Sequence, residues 1–232
     1  MKKVTIELFS DVLCIWAYGA QARIDQLKAD YGDRIELHYR FIPVFAAAHQ
    51  RIEQAWQEQD GYAGFNRHLH ESASGWEHVT LHPDLWLRNP PRSSQLAHLY
   101  LKALQLLDEQ HDSPRVTGDQ TIPTRFEEFL WRVRCAFFRD AEDISRLATL
   151  DALAQEMDLP VPEIHRKMND GSAHADLHLD TEARDRYLVP GSPTLVFNEG
   201  RQRLYGNVGY RIIDVNIREL LRDTRSGEAS WC

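Results

Sequence analysis

Apolar and polar residues alternate at the two ends of the chain and recur at helical spacing between them. Val4, Ile6 and Leu8 alternate with Thr5, Glu7 and Phe9. This reads as a first strand, apolar enough to be central in its sheet. Ser10-Asp11-Val12-Leu13-Cys14 is a turn into a helix. Tyr18, Ala22, Leu27 and Tyr31 carry that helix among Arg23, Asp25 and Lys28, as far as Gly32. Ile35, Leu37, Tyr39 and Phe41 alternate in a second strand that Pro43 stops. Strand, helix, strand opens an α/β layer and predicts a parallel pair.

From about Ala46 to Tyr187 the period changes to that of helices. Leu96, Leu99, Tyr100, Ala103, Leu104 and Leu107 share one face of a helix over 92–107; Phe126, Phe129, Leu130, Val133 and Phe137 do so over 124–138. Asp143-Ile144-Ser145 reads as a capping region before Leu147, Leu150, Ala154 and Met157, with Pro160 closing that helix. Helices over 163–168 and 172–187 follow. The stretch from Gly75 to Pro91 has Trp76, Trp86, three prolines and two histidines without a period. It is long for a loop, so Trp76, Trp86 and Trp16 are candidates for lining a cleft. Thr194 to Phe197 and Arg203 to Tyr205 form a hairpin around Asn198-Glu199-Gly200, and Tyr210 to Leu221 is a last amphipathic helix. The expected order is βαβ, a block of helices, then ββα, with a polar tail over 223–232.

Composition bounds the function. At 232 residues, 43 % hydrophobic and 27 % charged, the chain has the balance of a globular protein. A formal charge of −8 offers no general attraction to nucleic acid or anionic lipid. Glu7 and Asp11 interrupt the first apolar run well short of a signal peptide, and no run is long enough for a membrane span. A cytoplasmic protein without membrane or nucleic-acid partners is expected.

The three cysteines, Cys14, Cys135 and Cys232, are too few and too far apart for a disulfide framework. Cys135 lies in an apolar helical stretch and reads as a buried inert thiol, and Cys232 falls in the tail. Cys14 stands where a strand ends and a helix begins. Unpaired N–H groups there favour a thiolate, so a lowered pKa and a nucleophilic role are expected. His174 and His178 share a helix face with Asp180 nearby, but no third ligand is identifiable and a solvated face is the expectation; no metal site is expected there or at His78 and His82. His68 and His70 read as surface residues.

Ser10-Asp11-Val12-Leu13-Cys14-Ile15-Trp16-Ala17-Tyr18 resembles the active-site stretch of the DsbA-like superfamily, especially its FrnE-like members. Ser192-Pro193-Thr194 resembles that superfamily's cis-proline loop, and Arg134 to Phe138 with Asp143-Ile144-Ser145 resembles its helical insertion. The resemblance implies an α/β thioredoxin fold carrying an inserted all-helical domain, with 1–45 and 188–222 as the thioredoxin part and 46–187 as the insertion. It implies a thiol-dependent oxidoreductase with Cys14 as nucleophile and Ser192 and Pro193 facing it. Ala17 stands where dithiol members have their second cysteine, so an external thiol such as glutathione would resolve a mixed disulfide at Cys14.

Tyr205-Gly206-Asn207, followed by Arg211 at a longer spacing, resembles the glutathione-binding turn of a sister branch. That branch holds kappa-class glutathione transferases and 2-hydroxychromene-2-carboxylate isomerases, which carry a single hydroxyl at the reactive turn. It implies a second reading, a glutathione-dependent isomerase or transferase, with Trp16, Ala17, Ser192, Pro193, Gly206 and Asn207 around the ligand. A non-catalytic binding protein of the same fold is a third. No covalently bound cofactor is implied, and homodimers occur among such proteins.

Overall fold

The alternation at the N-terminus becomes strand β1 (Val4–Ser10), the centre of a four-stranded mixed sheet. The structure is a computed structural model, and it describes residues 3–110, 116–117, 120–121 and 123–222. The expectations for Cys232 and for the tail lie outside the described residues. β1 pairs in parallel with β2 (Ile35–Phe41), from Val4 opposite Ile35 to Ser10 opposite Phe41. On its other side it pairs antiparallel with β5 (Thr194–Phe197), which turns back into the edge strand β6 (Gln202–Tyr205). The strand order is β2-β1-β5-β6.

The expected first helix is two: α1 (Ile15–Gly19) and α2 (Gln21–Tyr31), parted at Ala20. With the last helix, α10 (Tyr210–Leu221), they cover one face of the sheet. There Ile6, Leu8, Ile24, Leu27, Ile213 and Ile217 are buried together. Phe9, Val196 and Ile42 point to the other face and pack on Ala183 and Val189.

Between β2 and β5 the chain is mainly helical: α3 (Ala48–Trp56), α4 (Gly61–Ala73), α5 (Gln95–Gln110), α6 (Arg125–Phe138), α7 (Leu147–Glu156), α8 (Val161–Asn169) and α9 (Ser172–Arg186). Pro160 does not close α7, which has ended by Glu156, but caps α8; its ring suits a helix start, where no N–H is missed. The pair β3 (Val116–Thr117) and β4 (Gln120–Thr121) was not expected, being too short to show alternation.

α6 ties the helices to the sheet. Thr124 and Glu127 form a capping box at its start, and Glu127 also accepts hydrogen bonds from Lys28 Nζ (2.7 Å) and Tyr39 Oη (2.9 Å). Further along, Phe138 and Trp131 stack on Tyr18 of α1, at centroid distances of 4.5 and 5.1 Å. Burying a side chain of that size stabilises by roughly 2 kcal/mol. One continuous cluster of buried apolar side chains therefore runs from β1 and α1 into α5, α6 and α7. No helix among the described residues is long and apolar enough to cross a membrane.

Candidate active site around Cys14

β1 stops at Ser10, and each following N–H group has a defined acceptor. Asp11 N–H donates to Ser192 Oγ (2.9 Å), Val12 N–H to His98 Nε2 (3.1 Å), Leu13 N–H to Asp11 Oδ1 (2.8 Å) and Cys14 N–H to Asp11 O (3.1 Å). A buried turn must satisfy its backbone in this way, and it does so partly within itself and partly from two distant segments. The fully buried Asp11 carboxylate is the hub. Its second oxygen accepts from Phe45 N–H and Ser94 Oγ, both at 2.8 Å, so the turn is clamped to the end of β2 and the start of α5. Burial opposes ionisation of Asp11, but His98, at 3.6 Å, and the amides of Phe45 and Leu13 outweigh it and hold the carboxyl below its ordinary value.

Cys14 caps α1 in an extended conformation (φ −83°, ψ 115°), with its carbonyl accepting from Ala17 and Tyr18 N–H. Its Sγ donates to Ser192 O at 3.3 Å. The Ser192–Pro193 peptide is cis. Ser192 thus grips the turn twice, through its hydroxyl to Asp11 and its carbonyl to Cys14. Cys14 and the Ser-Pro segment, 178 residues apart, face each other.

The expected lowered pKa is not found. Cys14 is only 6 % exposed. Burial pushes its thiol up and Asp11 adds to the effect; the amides of Ala17 and Trp16 pull the other way and do not compensate. The side chain rests as a protonated thiol that donates to a carbonyl. The sequence argument counted the helix-end amides and had no access to the desolvation that opposes them.

Gly206 N–H donates to Pro193 O (2.9 Å), and its φ of +87° is a conformation that glycine adopts without strain. Pro193 and Gly206 line one small apolar cavity of about 20 Å³ together with Leu8, Ala20 and Arg23. Asn207 and Arg211 are exposed beyond it, at the turn before α10 and in its first turn. Ala17 is buried beside Cys14. The ring of Trp16 meets that of Trp76 edge-on at 5.3 Å. Trp76 also lies over Gly19, where a Cβ would come within 2.4 Å of the ring, so the close approach requires a glycine. The 75–91 stretch is held there by His78 Nε2 on Gly19 O (2.8 Å).

Trp86 does not line a cleft. It is 1 % exposed and packs among Phe45, Phe65 and Phe137 in the core. Cys135 is buried, as expected, and burial raises its thiol pKa. His174 and His178 are exposed on α9, but Asp180 on the same helix is fully buried against Lys102. No group of three or more His, Cys, Asp or Glu among the described residues is arranged for a metal ion. Sequence reasoning missed Ser94, His98, Arg134 and the structural role of Asp11. Only Asp11 gave a signal, as a charge between an apolar strand and the cysteine.

A profile of the DSBA-like thioredoxin domain matches residues 5–214. The chain belongs to the DSBA-like thioredoxin domain family. No curated protein sequence matches it. Among solved structures it is similar to a probable DsbA oxidoreductase from Streptomyces coelicolor, with 17 % identity and a TM-score of 0.69 over 98 % of this chain and 94 % of that one. It is similar to the cytosolic disulfide reductase DsbM from Pseudomonas aeruginosa, also solved with GSH (16 % identity, TM-score 0.62, 92 % and 98 % of the two chains). It is similar as well to a 2-hydroxychromene-2-carboxylate isomerase (13 % identity, TM-score 0.60, 93 % and 95 %). At these identities the likeness is one of fold. In this chain Ala17 stands three residues after Cys14.

Proposed function

We propose that this DSBA-like chain is a cytoplasmic thiol-disulfide exchange enzyme that works through Cys14 alone and uses glutathione as its second thiol. The observation that carries the reading is Cys14 Sγ lying 3.3 Å from Ser192 O, across from the Ser192–Pro193 segment, with no second cysteine on α1. The Cys14 thiol gives its proton to solvent, and the thiolate attacks one sulfur of a disulfide. A new S–S bond forms, the old one breaks, and the leaving thiolate takes up a proton. Glutathione thiolate then attacks the substrate-derived sulfur of the mixed disulfide; the Cys14 thiolate leaves and takes up a proton, and the substrate departs as its disulfide with glutathione. A reducing, glutathione-rich compartment suits this cycle. The exposed surface at Asn207, beside Gly206 and the Ser192–Pro193 segment, is where we place glutathione, with Trp16 beside it.

The test is mass spectrometry after exposure to oxidised glutathione. An adduct of one glutathione on Cys14, absent from Cys14→Ser and removed by reduced glutathione, is expected. No adduct at millimolar oxidised glutathione would sink the reading.

The raised Cys14 pKa favours a second reading, a glutathione-dependent isomerase. There the S–H acts as a donor, as the hydroxyl of the sister branch does, and holds the sulfur of bound glutathione. Cys14→Ser separates the two. It keeps turnover of a 2-hydroxychromene-2-carboxylate if the group is a donor, and abolishes disulfide exchange if it is a nucleophile.

A further inference from the structure

Arg134 reaches the Cys14 turn from α6, in the helical part of the chain. Its side chain is 1 % exposed. Its guanidinium donates to Ser10 Oγ (3.2 Å) and Gln21 Oε1 (3.0 Å), while Nε has no partner among the described residues. Ser10 and Gln21 flank the reactive turn, one at the end of β1 and the other at the start of α2. Among the described residues, no carboxylate lies within ion-pair distance of Arg134. A buried cation with only neutral acceptors gives up much of its hydration, so those two hydrogen bonds do not account for a charge at this place. Lysine or glutamine could reach similar acceptors, but only the guanidinium is charged at every relevant pH.

The ionisable groups that feel this charge are Tyr39 on β2, Cys14 and Asp11 in the turn, and Cys135 on α6; His98 on α5 adjoins Asp11. Asp11 is already matched by Leu13, Phe45 and Ser94. Tyr39 is bonded to Glu127, and Cys135 belongs to the packing of α6. Cys14 is the remaining group whose negative form has no cation of its own.

We infer that Arg134 is a positioning residue for the reaction: its fixed guanidinium offsets the negative charge on the Cys14 sulfur when the thiol ionises. The inference rests on the reading that Cys14 reacts as a thiolate. Burial and Asp11 keep the resting thiol protonated. Because the charge comes from the helical part, it is in place only when α6 is docked on α1 through Tyr18, Trp131 and Phe138.

The test is the thiolate absorbance at 240 nm as a function of pH, taken as the difference between each protein and its Cys14→Ser counterpart. Arg134→Gln keeps donors for Ser10 and Gln21 and removes the charge. Its midpoint is expected to rise by about one unit, a tenfold change in proton affinity. The rate of adduct formation with oxidised glutathione at pH 7 should fall about tenfold with it. Arg134→Lys is expected to lie between Arg134→Gln and the wild type, because a buried ammonium gives up its proton more readily than a guanidinium. A folded Arg134→Gln protein with the wild-type midpoint overturns the inference. Where Arg134→Gln does not fold, Arg134→Met decides: it also removes the charge at similar volume, and a folded Met variant with the wild-type midpoint overturns the inference. A wild-type protein whose Cys14 forms no adduct removes the exchange reading, whereas an unshifted midpoint beside a normal adduct removes the role of Arg134 alone.

Discussion

Asp11 and Asp180 are both carboxylates with no exposed surface, yet burial is overcome at one and not at the other. At Asp11 the fully buried His98 does most to hold the carboxyl ionised, and two amides and one hydroxyl at 2.8 Å add to it. Its carboxyl titrates below the ordinary value. At Asp180 the partners include two cations: Lys102 at 2.9 Å and Arg40 at 3.2 Å, together with the amide of Phe41 at 2.7 Å. Burial still pushes its carboxyl up, against all three. Lys102 is itself 1 % exposed, so the closest charge that helps Asp180 is also one that had to leave water. Amides fixed by the backbone carry no such penalty. The Asp11 turn is therefore a preorganised site. The Asp180 cluster is a clasp that joins α9, α5 and β2 because its members have nowhere else to go.

Breaking the clasp should give the largest effect on stability. Lys102→Ala leaves a buried carboxylate with one fewer partner and is expected to cost about 3–5 kcal/mol in urea denaturation. Replacing both groups, Lys102→Met with Asp180→Leu, should cost clearly less than Lys102→Ala, because no charge is stranded. A single substitution that proved nearly neutral would show that water reaches the cluster and would dissolve the contrast with Asp11.

Asp11→Asn comes next. It places an NH₂ group against donors that need an acceptor, and about 2–3 kcal/mol should be lost at pH 7. Its pH signature sharpens the comparison. The folded pKa of Asp11 is depressed, so its stabilisation is complete above the unfolded value of about 3.9 and disappears as pH falls through the folded value. The stability gap between the wild type and Asp11→Asn should therefore be widest near neutrality and shrink below about pH 4. A gap of constant size down to low pH would mean that ionisation of Asp11 contributes nothing.

The same contrast explains what the sequence could show. Strand β5 and helix α10 were legible to the residue, because a short apolar run bounded by turns and a 3.6 period both survive in short local windows. Cys14 and Ser192-Pro193 were legible as a pair through their resemblance to a family, and the fold places them face to face. The state of the thiol was not legible. It depends on burial under segments far away in sequence, which no local pattern records. Asp180 looked solvated beside His174 and His178, since period alone does not say which flank of a polar helix meets a buried lysine. Trp86 looked like cleft lining because irregular stretches are commonly surface; here the stretch tucks one ring into the core. Arg134 stood inside an apolar run, where a lone charge carries no mark of what it faces.

Ser192→Ala is the smallest of the expected effects and isolates the link between the two halves of the site. The change removes the acceptor of Asp11 N–H but leaves the backbone carbonyl that accepts from Cys14. A partly buried N–H loses its partner, so about 1 kcal/mol of stability should go. The carboxylate of Asp11 keeps its own three donors, so its low pKa, and with it the pH dependence of stability, should persist. If Ser192→Ala were instead to flatten that pH dependence, the turn would owe its order to the Ser-Pro segment. Asp11 would then be no more preorganised than Asp180, because its amides would be aligned only while a distant segment held them.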